Sequence, residues 1–259
     1  MLKEYGILFD VNLCLGCGAC YEACKETNNL PGTNDDFLKD HLSDNTFTVV
    51  EEYGNLYARK LCMHCSDPAC ASVCLVGAIK KSDTGAVIYD ADKCIGCRYC
   101  MQACPQKIPR YEWGSTNPRI RKCNLCHSRV KAGKLPACSQ ACPTEATLFG
   151  SMEKIIEVAE FRIKENPAKY FPKIYGLEEA GGSHILVISP VPFEQLGYAS
   201  GIPKDPLPDL TMKAMDKIPG VVLGGGVFLS AMYWLTKRKN QIAKESIIIT
   251  KEYQKRENN

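Results

Sequence analysis

Cysteine is the residue type on which the chemistry of this sequence depends. The chain has sixteen cysteines, and they divide into four groups of four with none left over. In chain order, quartets I to IV are Cys14, Cys17, Cys20 and Cys24; Cys62, Cys65, Cys70 and Cys74; Cys94, Cys97, Cys100 and Cys104; and Cys123, Cys126, Cys138 and Cys142. Thiolates grouped at short spacing bind soft metal ions, so the sequence predicts metal centres.

The spacing within the quartets favours iron–sulfur cubes. Quartets I and III read C-x2-C-x2-C-x3-C, in which three thiolates bind one [4Fe–4S] cluster and the fourth binds a neighbouring one. Quartet II reads C-x2-C-x4-C-x3-C, and quartet IV reads C-x2-C-x11-C-x3-C. Sixteen thiolates are the number that four cubes require, so we predict four [4Fe–4S] clusters and one-electron chemistry.

Three other interpretations of the cysteines are weaker. Structural zinc usually takes two C-x2-C pairs separated by about 12–20 residues, a pattern that only quartet IV approaches. A disulfide framework is typical of small secreted domains, whereas this chain has 259 residues and no recognisable signal segment. The loss of some clusters is the third interpretation, but every quartet has four cysteines.

Short elements must position these cysteine loops. Gly16 and Gly96 allow positive φ between cysteines, and Pro105 and Pro143 give quartets III and IV the C-P ending of bacterial ferredoxins. Quartets I and III begin 80 residues apart, which indicates an internal duplication. The pattern predicts a strand at 5–11, a loop at 27–46, a hairpin of 46–51 and 55–60, a strand at 86–89, a helix at 151–164 capped by Ser151, and a strand at 184–189.

The C-terminal region has the composition of a membrane anchor. Residues 218–236 carry no charge and would form a helix of about 28 Å, close to the hydrocarbon thickness of about 30 Å. We predict a single transmembrane helix there, with a buried core helix as the alternative. The proline-rich residues 191–217 are predicted to form an extended connector, and residues 237–259 form a charged tail.

Residues in and around the span predict a partner and an orientation. Small residues at Gly220, Gly224, Gly226 and Ser230 allow a second helix to approach closely. Lysines and arginines at 237–244 favour a cytoplasmic tail, with the cluster domain on the outer, periplasmic face of the inner membrane. The chain has no recognisable export segment of its own, so the arrangement that faces the cytoplasm remains an alternative.

The charge balance and the residues beside the quartets give weaker signals. The formal charge of +3 treats the cysteines as neutral, and four clusters of about −2 each would change it to roughly −5, which disfavours nucleic acid as a partner. His64 and His127 lie in cluster loops, where hydrogen bonding or packing is expected rather than ligation. Four cations are expected to be solvated surface residues or simple charge balance, with tuning of cluster potential as the alternative: Arg98, Arg119, Arg121 and Lys122. Three aromatic residues are expected in the core, with a partner interface as the alternative: Tyr99, Tyr111 and Trp113.

Five cysteine-containing stretches carry a family resemblance. They are CMHCSDPAC at 62–70, KCIGCRYCM at 93–101, RKCNLC at 121–126, LPAC at 135–138 and ACPT at 141–144. Between about residues 5 and 190, the chain resembles the four-cluster iron–sulfur (β) subunits of membrane-bound respiratory oxidoreductases, above all those of formate dehydrogenase and hydrogenase-2.

The resemblance implies an α+β fold of two interleaved bacterial-ferredoxin-like modules, each with two clusters, followed by the transmembrane helix. The cluster domain would cover residues 1–190, with module A at about 1–30 plus 115–150, module B at about 55–110, and a helix and strand at 151–190. It also implies crossed ligand sets, numbered here as site 1 (Cys74, Cys94, Cys97, Cys100), site 2 (Cys62, Cys65, Cys70, Cys104), site 3 (Cys24, Cys123, Cys126, Cys138) and site 4 (Cys14, Cys17, Cys20, Cys142).

The function that the resemblance implies is a non-catalytic electron relay. Electrons would pass between a catalytic subunit and an integral, quinone-reactive membrane subunit of the cytochrome b or polysulfide-reductase-like type. The catalytic subunit would be a formate dehydrogenase with a molybdenum or tungsten pterin, or a nickel–iron hydrogenase. The alternatives are a free-standing, membrane-associated polyferredoxin and an enzyme with one open cluster site, although no quartet lacks the cysteine that an open site would omit.

Overall fold

The computed structural model describes residues 4–32 and 36–257. The chain divides into two compact units, Met1–Asp209 and Leu210–Asn259. The strands are β1 Tyr5–Asp10, β2 Thr48–Tyr53, β3 Leu56–Leu61, β4 Ile79–Lys81, β5 Val87–Tyr89, β6 Arg110–Tyr111, β7 Ile120–Arg121, β8 Thr147–Ser151 and β9 Ile185–Ile188. The α-helices are α1 Ala19–Thr27, α2 Ala69–Ser72, α3 Tyr99–Ala103, α4 His127–Lys131, α5 Ala137–Gln140, α6 Met152–Glu165, α7 Leu207–Met215 and α8 Ile218–Glu257.

A three-stranded sheet in the order β8-β1-β9 lies at the centre of the first unit. Strand β1 pairs antiparallel with β8 and parallel with β9. Successive side chains of a strand point to opposite faces, so Ile7 and Ile185 pack in the core that contains the cysteine loops, while Leu8 and Leu186 pack against α6. The sheet therefore joins the cysteine loops to a supporting helix.

Three predicted elements are confirmed with small shifts of their ends. The hairpin consists of β2 and β3, which turn at Gly54, where φ is +63°. The predicted helix at 151–164 is α6, and Ser151 occupies its N-cap without a side-chain capping hydrogen bond. The predicted strand at 184–189 is β9, which is buried along its whole length.

The approach to quartet I is repeated in the approach to quartet III. Asp10 ends β1 with φ −107° and ψ 108°, and its carboxylate accepts a hydrogen bond from the N–H of Asn12. Asp90 follows β5 with φ −109° and ψ 108°, and it accepts from Asp92 in the same way. Each aspartate caps one turn of 3-10 helix that leads into the first cysteine of its quartet. The shared geometry supports the internal duplication.

The prediction of an extended connector at 191–217 is wrong. Residues Phe193–Leu196 form a 3-10 turn, and Phe193, Leu196 and Tyr198 are buried in the core of the first unit. Further on, α7 occupies residues 207–215, which were predicted to be extended. Pro208 lies in the first turn of α7, where the missing N–H is not needed for a helical hydrogen bond.

The predicted transmembrane segment lies within a longer helix. Helix α8 runs from Ile218 to Glu257, so the tail predicted at 237–259 is helical as far as residue 257. No glycine or proline occurs at 237–257 to end the helix. Among the described residues, Leu207–Ile248 is the one stretch that is long and apolar enough to cross a membrane, and none of its apolar window is buried.

Candidate metal centres

The loop after the first cysteine of each quartet has the same unusual backbone. The second residue after that cysteine is left-handed in all four quartets: Gly16 at φ +66°, His64 at +50°, Gly96 at +69° and Leu125 at +54°. This conformation turns backbone N–H groups toward sulfur, as in the contacts of Gly96 N with Cys94 Sγ (3.4 Å) and Leu125 N with Cys123 Sγ (3.4 Å). The strain at the non-glycine positions marks these loops as functional.

A second repeated turn follows the last cysteine of quartets II, III and IV. The third residue after that cysteine is left-handed in each case, namely Gly77, Lys107 and Glu145. The turn directs N–H groups back at the thiol, as in the 3.2 Å contact of Ala78 N with Cys74 Sγ. Quartet I differs because Cys24 lies inside α1.

Cys142 illustrates the effect of these N–H groups. Burial alone would raise the pKa of the Cys142 thiol, but N–H groups of residues 144, 146 and 147 and the Thr144 hydroxyl stabilise the thiolate and lower the pKa overall. Iron binds the thiolate form of cysteine, so this turn prepares Cys142 as a ligand. The residue directly after Cys142 is Pro143, which has no N–H. The turn loses nothing by this, because its N–H groups come from residues 144, 146 and 147.

The thiols predicted for site 4 are neighbours of one another. Burial raises the pKa of Cys14, and repulsion from Cys142 and Cys17 raises it further. Burial likewise raises the pKa of Cys20 to about 11, with added repulsion from Cys138, Cys14 and Cys142. Quartets I and IV are far apart in sequence, and the contact of α1 with α5 and the pairing of β1 with β8 bring them together.

The thiols predicted for sites 1 and 3 each line one cavity. Site 3 surrounds a cavity whose other lining residues include Ile7, Leu125 and the side chain of Arg59. Site 1 surrounds a second cavity, lined also by Ile79 and Ile120. Within residues 4–32 and 36–257, no three His, Cys, Asp or Glu side chains are close enough to hold a single metal ion. A cubic cluster fits sites 1 and 3, because its four ligands surround a space rather than one atom.

Site 2 lies between these groups. Burial raises the pKa of Cys65 to about 12, with added repulsion from Cys62 and Cys104, and burial raises the pKa of Cys70 with repulsion from the same two thiols. Cys62 is also close to Cys123 of site 3: burial raises the pKa of Cys123, and repulsion from Cys24, Cys62 and Cys138 raises it further. Cys70 of site 2 packs around the same apolar cluster as Cys74, Cys94 and Cys100 of site 1. Cys138 of site 3 acts on Cys20 of site 4, so the neighbouring thiols follow the order site 1, site 2, site 3, site 4.

Exposure distinguishes the two ends of this row. Of the sixteen cysteines, only Cys97 of site 1 and Cys17 of site 4 are exposed. Large exposed apolar side chains stand beside each one, Ile95 (63% exposed) beside Cys97 and Leu15 (67% exposed) beside Cys17. The thiols of sites 2 and 3 are less accessible, so the row is open to solvent at its ends.

Three cations are buried near the cysteine loops: Lys25, which pairs with Asp40, and Arg59 and Lys122, which act on the thiols. The side chain of Arg59 is 1% exposed, and Lys122 is 6% exposed, which contradicts its expected surface position. Lys122 Nζ donates to the carbonyl oxygens of Val87 and Cys123. Sequence reasoning missed Arg59, because Ala58 and Arg59 are both buried on β3 and no alternation separates them.

The two loop histidines act through hydrogen bonds to protein groups. His64 is fully buried, and its Nδ1 accepts the N–H of Val87 at 2.9 Å, which leaves Nε2 as the donor. Burial lowers the pKa of His64 well below its usual value, so the ring is neutral. Nε2 has no partner among the described residues, and a cluster sulfur would provide an acceptor. His127 Nδ1 lies 3.2 Å from the Thr84 hydroxyl.

The expected core position of two aromatic residues is wrong. Tyr99 is 53% exposed and Trp113 is 68% exposed, both in the neighbourhood of site 1. The guanidinium of Arg98 lies 5.4 Å from the ring centre of Tyr111 and 5.1 Å from that of Trp113. These contacts form an exposed aromatic and cationic surface, which is consistent with the interface alternative.

The cysteine loops and the sheet that holds them define a ferredoxin-type iron–sulfur protein. The sequence profile described as a 4Fe-4S dicluster domain matches residues 54–152. The chain belongs to the family of iron–sulfur subunits that includes the formate dehydrogenase iron–sulfur subunits and the hydrogenase-2 operon protein HybA.

Three relatives illustrate the similarity. A protein of Nitratidesulfovibrio vulgaris is 38% identical over 256 residues, which cover 93% of this chain and 69% of the relative. HybA of Escherichia coli O157:H7 is 37% identical over 234 residues, 74% of this chain and 71% of HybA. The nitrate-inducible formate dehydrogenase iron–sulfur subunit of E. coli K12 is 35% identical over 227 residues, 81% of this chain and 76% of that subunit.

Proposed function

We propose that this chain is a non-catalytic relay that carries single electrons through four [4Fe–4S] clusters held by sites 1 to 4. The electrons pass between a catalytic subunit of the formate dehydrogenase or hydrogenase type and an integral membrane subunit that reacts with quinone. Its relatives carry the names of formate dehydrogenase iron–sulfur subunits and of a hydrogenase-2 operon protein, which supports the class of catalytic partner.

The observation that carries this proposal is the continuous row of thiols. Cys62 and Cys123 are neighbours at the junction of sites 2 and 3, and Cys20 and Cys138 are neighbours at the junction of sites 3 and 4. Cys70 of site 2 and three thiols of site 1 pack around one apolar cluster, which joins the remaining pair of sites. When bound, each cluster accepts and releases one electron at a time. The exposed ends at Cys97 and Cys17 are where partner proteins would exchange electrons with the row.

The residues of this chain position the clusters, and none of them is assigned a chemical step on a substrate. The left-handed loops direct N–H groups at sulfur, the buried sheet fixes the distance between quartets I and IV, and the apolar lining of the cavities excludes water. Hydrogen bonds and exclusion of water both change the potential of a cluster. We assign the substrate chemistry to the catalytic partner.

Helix α8 anchors this relay in the inner membrane in our proposal. Every side chain of α8 that is described between residues 218 and 248 is exposed, including the apolar Val221, Phe228 and Leu229. Its glycines have no neighbouring atom that an added Cβ would meet, so that face is free to receive a helix of the membrane partner. The positive flank at 237–244 supports a tail in the cytoplasm and clusters on the outer face, with clusters that face the cytoplasm as the alternative.

Iron content tests the number of clusters directly. Anaerobically purified protein should contain about sixteen iron atoms per chain, and the reduced protein should show several interacting S = 1/2 signals by EPR. Clearly lower iron in an intact, anaerobic preparation would contradict four clusters. Purification in detergent without any co-migrating subunit would favour a free-standing polyferredoxin instead.

Single cysteine variants test the crossed ligand sets. Cys142→Ala should remove or convert the cluster bound to Cys14, Cys17 and Cys20, and it should leave the other three signals in place. Cys126→Ala is the matched control from the same quartet, and it should damage the site 3 cluster instead. Identical spectra for the two variants would contradict the crossed assignment, because both cysteines would then serve one cluster.

A further inference from the structure

We infer that Arg59 is the buried counter-charge of the clusters at sites 3 and 4, and that it raises their reduction potential. The inference rests on the proposed function, because it assigns a role toward clusters that the four sites would bind. It concerns a residue outside every cysteine motif, on strand β3 of the hairpin.

The guanidinium of Arg59 is fixed by two hydroxyl groups. Its Nε donates to Thr48 Oγ1 at 2.9 Å, and its Nη1 donates to Thr147 Oγ1 at 3.3 Å. Thr48 belongs to the neighbouring strand, while Thr147 is 88 residues away in the chain, at the start of β8. Both threonines are buried as well. This arrangement holds the charge in one place inside the protein.

No acidic partner explains the buried charge. Within residues 4–32 and 36–257, the ion pairs of the structure do not include Arg59. An unpaired guanidinium in a protein interior is strongly unfavourable. The ionisable groups nearest to it are thiols. Burial lowers the pKa of Arg59, but the thiolate forms of Cys138 and Cys20 raise it, and the net effect is a raised pKa.

Arg59 is close to the thiols of both predicted clusters. It lines the cavity that the site 3 thiols surround. Its positive charge also acts on Cys14 and Cys20 of site 4. Reduction adds one negative charge to a cluster, and a nearby fixed positive charge stabilises that added charge. The side chain therefore favours the reduced clusters at sites 3 and 4 over those at sites 1 and 2.

Lys122 gives an internal comparison. Its charge acts on Cys65 and Cys70 of site 2. The third buried cation, Lys25, has a carboxylate partner in Asp40. Arg59 and Lys122 thus act on different halves of the row, and of these two only Arg59 acts on two sites. Removing one or the other cation should therefore shift different EPR signals.

The test is an anaerobic redox titration of the full-length, cluster-loaded protein, followed by EPR. Arg59→Met keeps a long side chain and removes the charge. We expect at least one signal to shift to a more negative potential by 59 mV or more, which is a tenfold change in the ratio of reduced to oxidised cluster. Arg59→Lys keeps the charge and should shift the potential less. The exposed Lys154→Met is the control for net charge and should shift no signal.

The outcomes are separable. Equal shifts for Arg59→Met and Arg59→Lys, or no shift with full iron content, would overturn the role of the charge. Should Arg59→Met lose iron, Arg59→Gln takes its place, since it removes the charge but keeps N–H groups that can donate to Thr48 and Thr147. Unchanged potentials in that variant, at full iron content, would also overturn the inference. Failure of the proposed function would appear earlier, as wild-type protein with fewer than four clusters.

Discussion

The carboxylate of Asp10 should be the most sensitive position outside the cysteines. It is completely buried at the end of β1, four residues before Cys14. One oxygen accepts the N–H of Asn12 at 3.0 Å, and the other accepts from Arg162 Nη1 and the Tyr170 hydroxyl, both at 2.8 Å. Asp10→Ala removes the acceptor for three donors at once.

The expected loss can be estimated from these contacts. Removing one partner of a buried ion pair costs about 3–5 kcal/mol, and loss of a capping side chain costs about 1 kcal/mol. The Arg162 side chain is 23% exposed and can recover some hydration, so we take the lower bound of about 3 kcal/mol. Asp90→Ala is the matched control, because Asp90 caps the equivalent turn but pairs with Lys93 at the surface.

The assay is the rate at which the visible absorbance of the clusters bleaches in denaturant. A loss of 3 kcal/mol would accelerate bleaching by up to about a hundredfold, if these contacts break before the transition state for unfolding. The Asp90→Ala variant should bleach at nearly the wild-type rate. If the two variants bleach at the same rate, the reasoning from burial is refuted, since the caps differ chiefly in that respect.

Three further predictions concern other regions. Burial lowers the pKa of Lys60 to about 8. Between pH 8 and about 10 the unfolded state therefore binds more protons than the folded state, so resistance to denaturant should rise with pH across that window. The Lys60→Met variant should not show this rise. Gly16→Ala would place the new Cβ 2.5 Å from the Tyr57 ring, so this variant should contain less iron. Gly54→Ala is the control: it has the same left-handed strain, but its Cβ would have no atom within 4 Å, so it should lower the free energy of unfolding by only about 1 kcal/mol. Removal of residues 210–259, which form one compact unit, should allow extraction without detergent, and the shortened protein should keep its iron. Loss of iron would contradict the separation of the two units.

Local sequence patterns predicted the parts of the fold that depend on local physics. The hairpin of β2 and β3, the amphipathic helix α6 and the buried strand β9 all follow from periodicity and turn residues. The cysteine spacing led to the family because a cluster loop is a short, continuous piece of chain. The left-handed conformation at Gly16 and Gly96 was also predictable, since glycine is the residue that allows it.

The features that the sequence did not predict depend on distant contacts or on tolerated strain. The buried Arg59 donates a hydrogen bond to Thr147, which is 88 residues away in the chain and follows quartet IV. No local sequence pattern around Arg59 predicts this contact. His64 and Leu125 adopt the left-handed conformation that glycine has in quartets I and III, because the loop imposes it on any residue at that place. The burial of Phe193 and Leu196 in the core contradicts the surface path that proline content suggested.

The central sheet also determines the order in which this protein can be completed during synthesis. Strand β1 is made first, but Gly6 pairs with Gly150 and Ile7 pairs with Ile185, so its partners leave the ribosome much later. The hairpins of β2 with β3 and of β4 with β5 need only nearby residues. Contacts between distant residues form slowly. The two hairpins can therefore form before the central sheet, which closes only after residue 188 has left the ribosome.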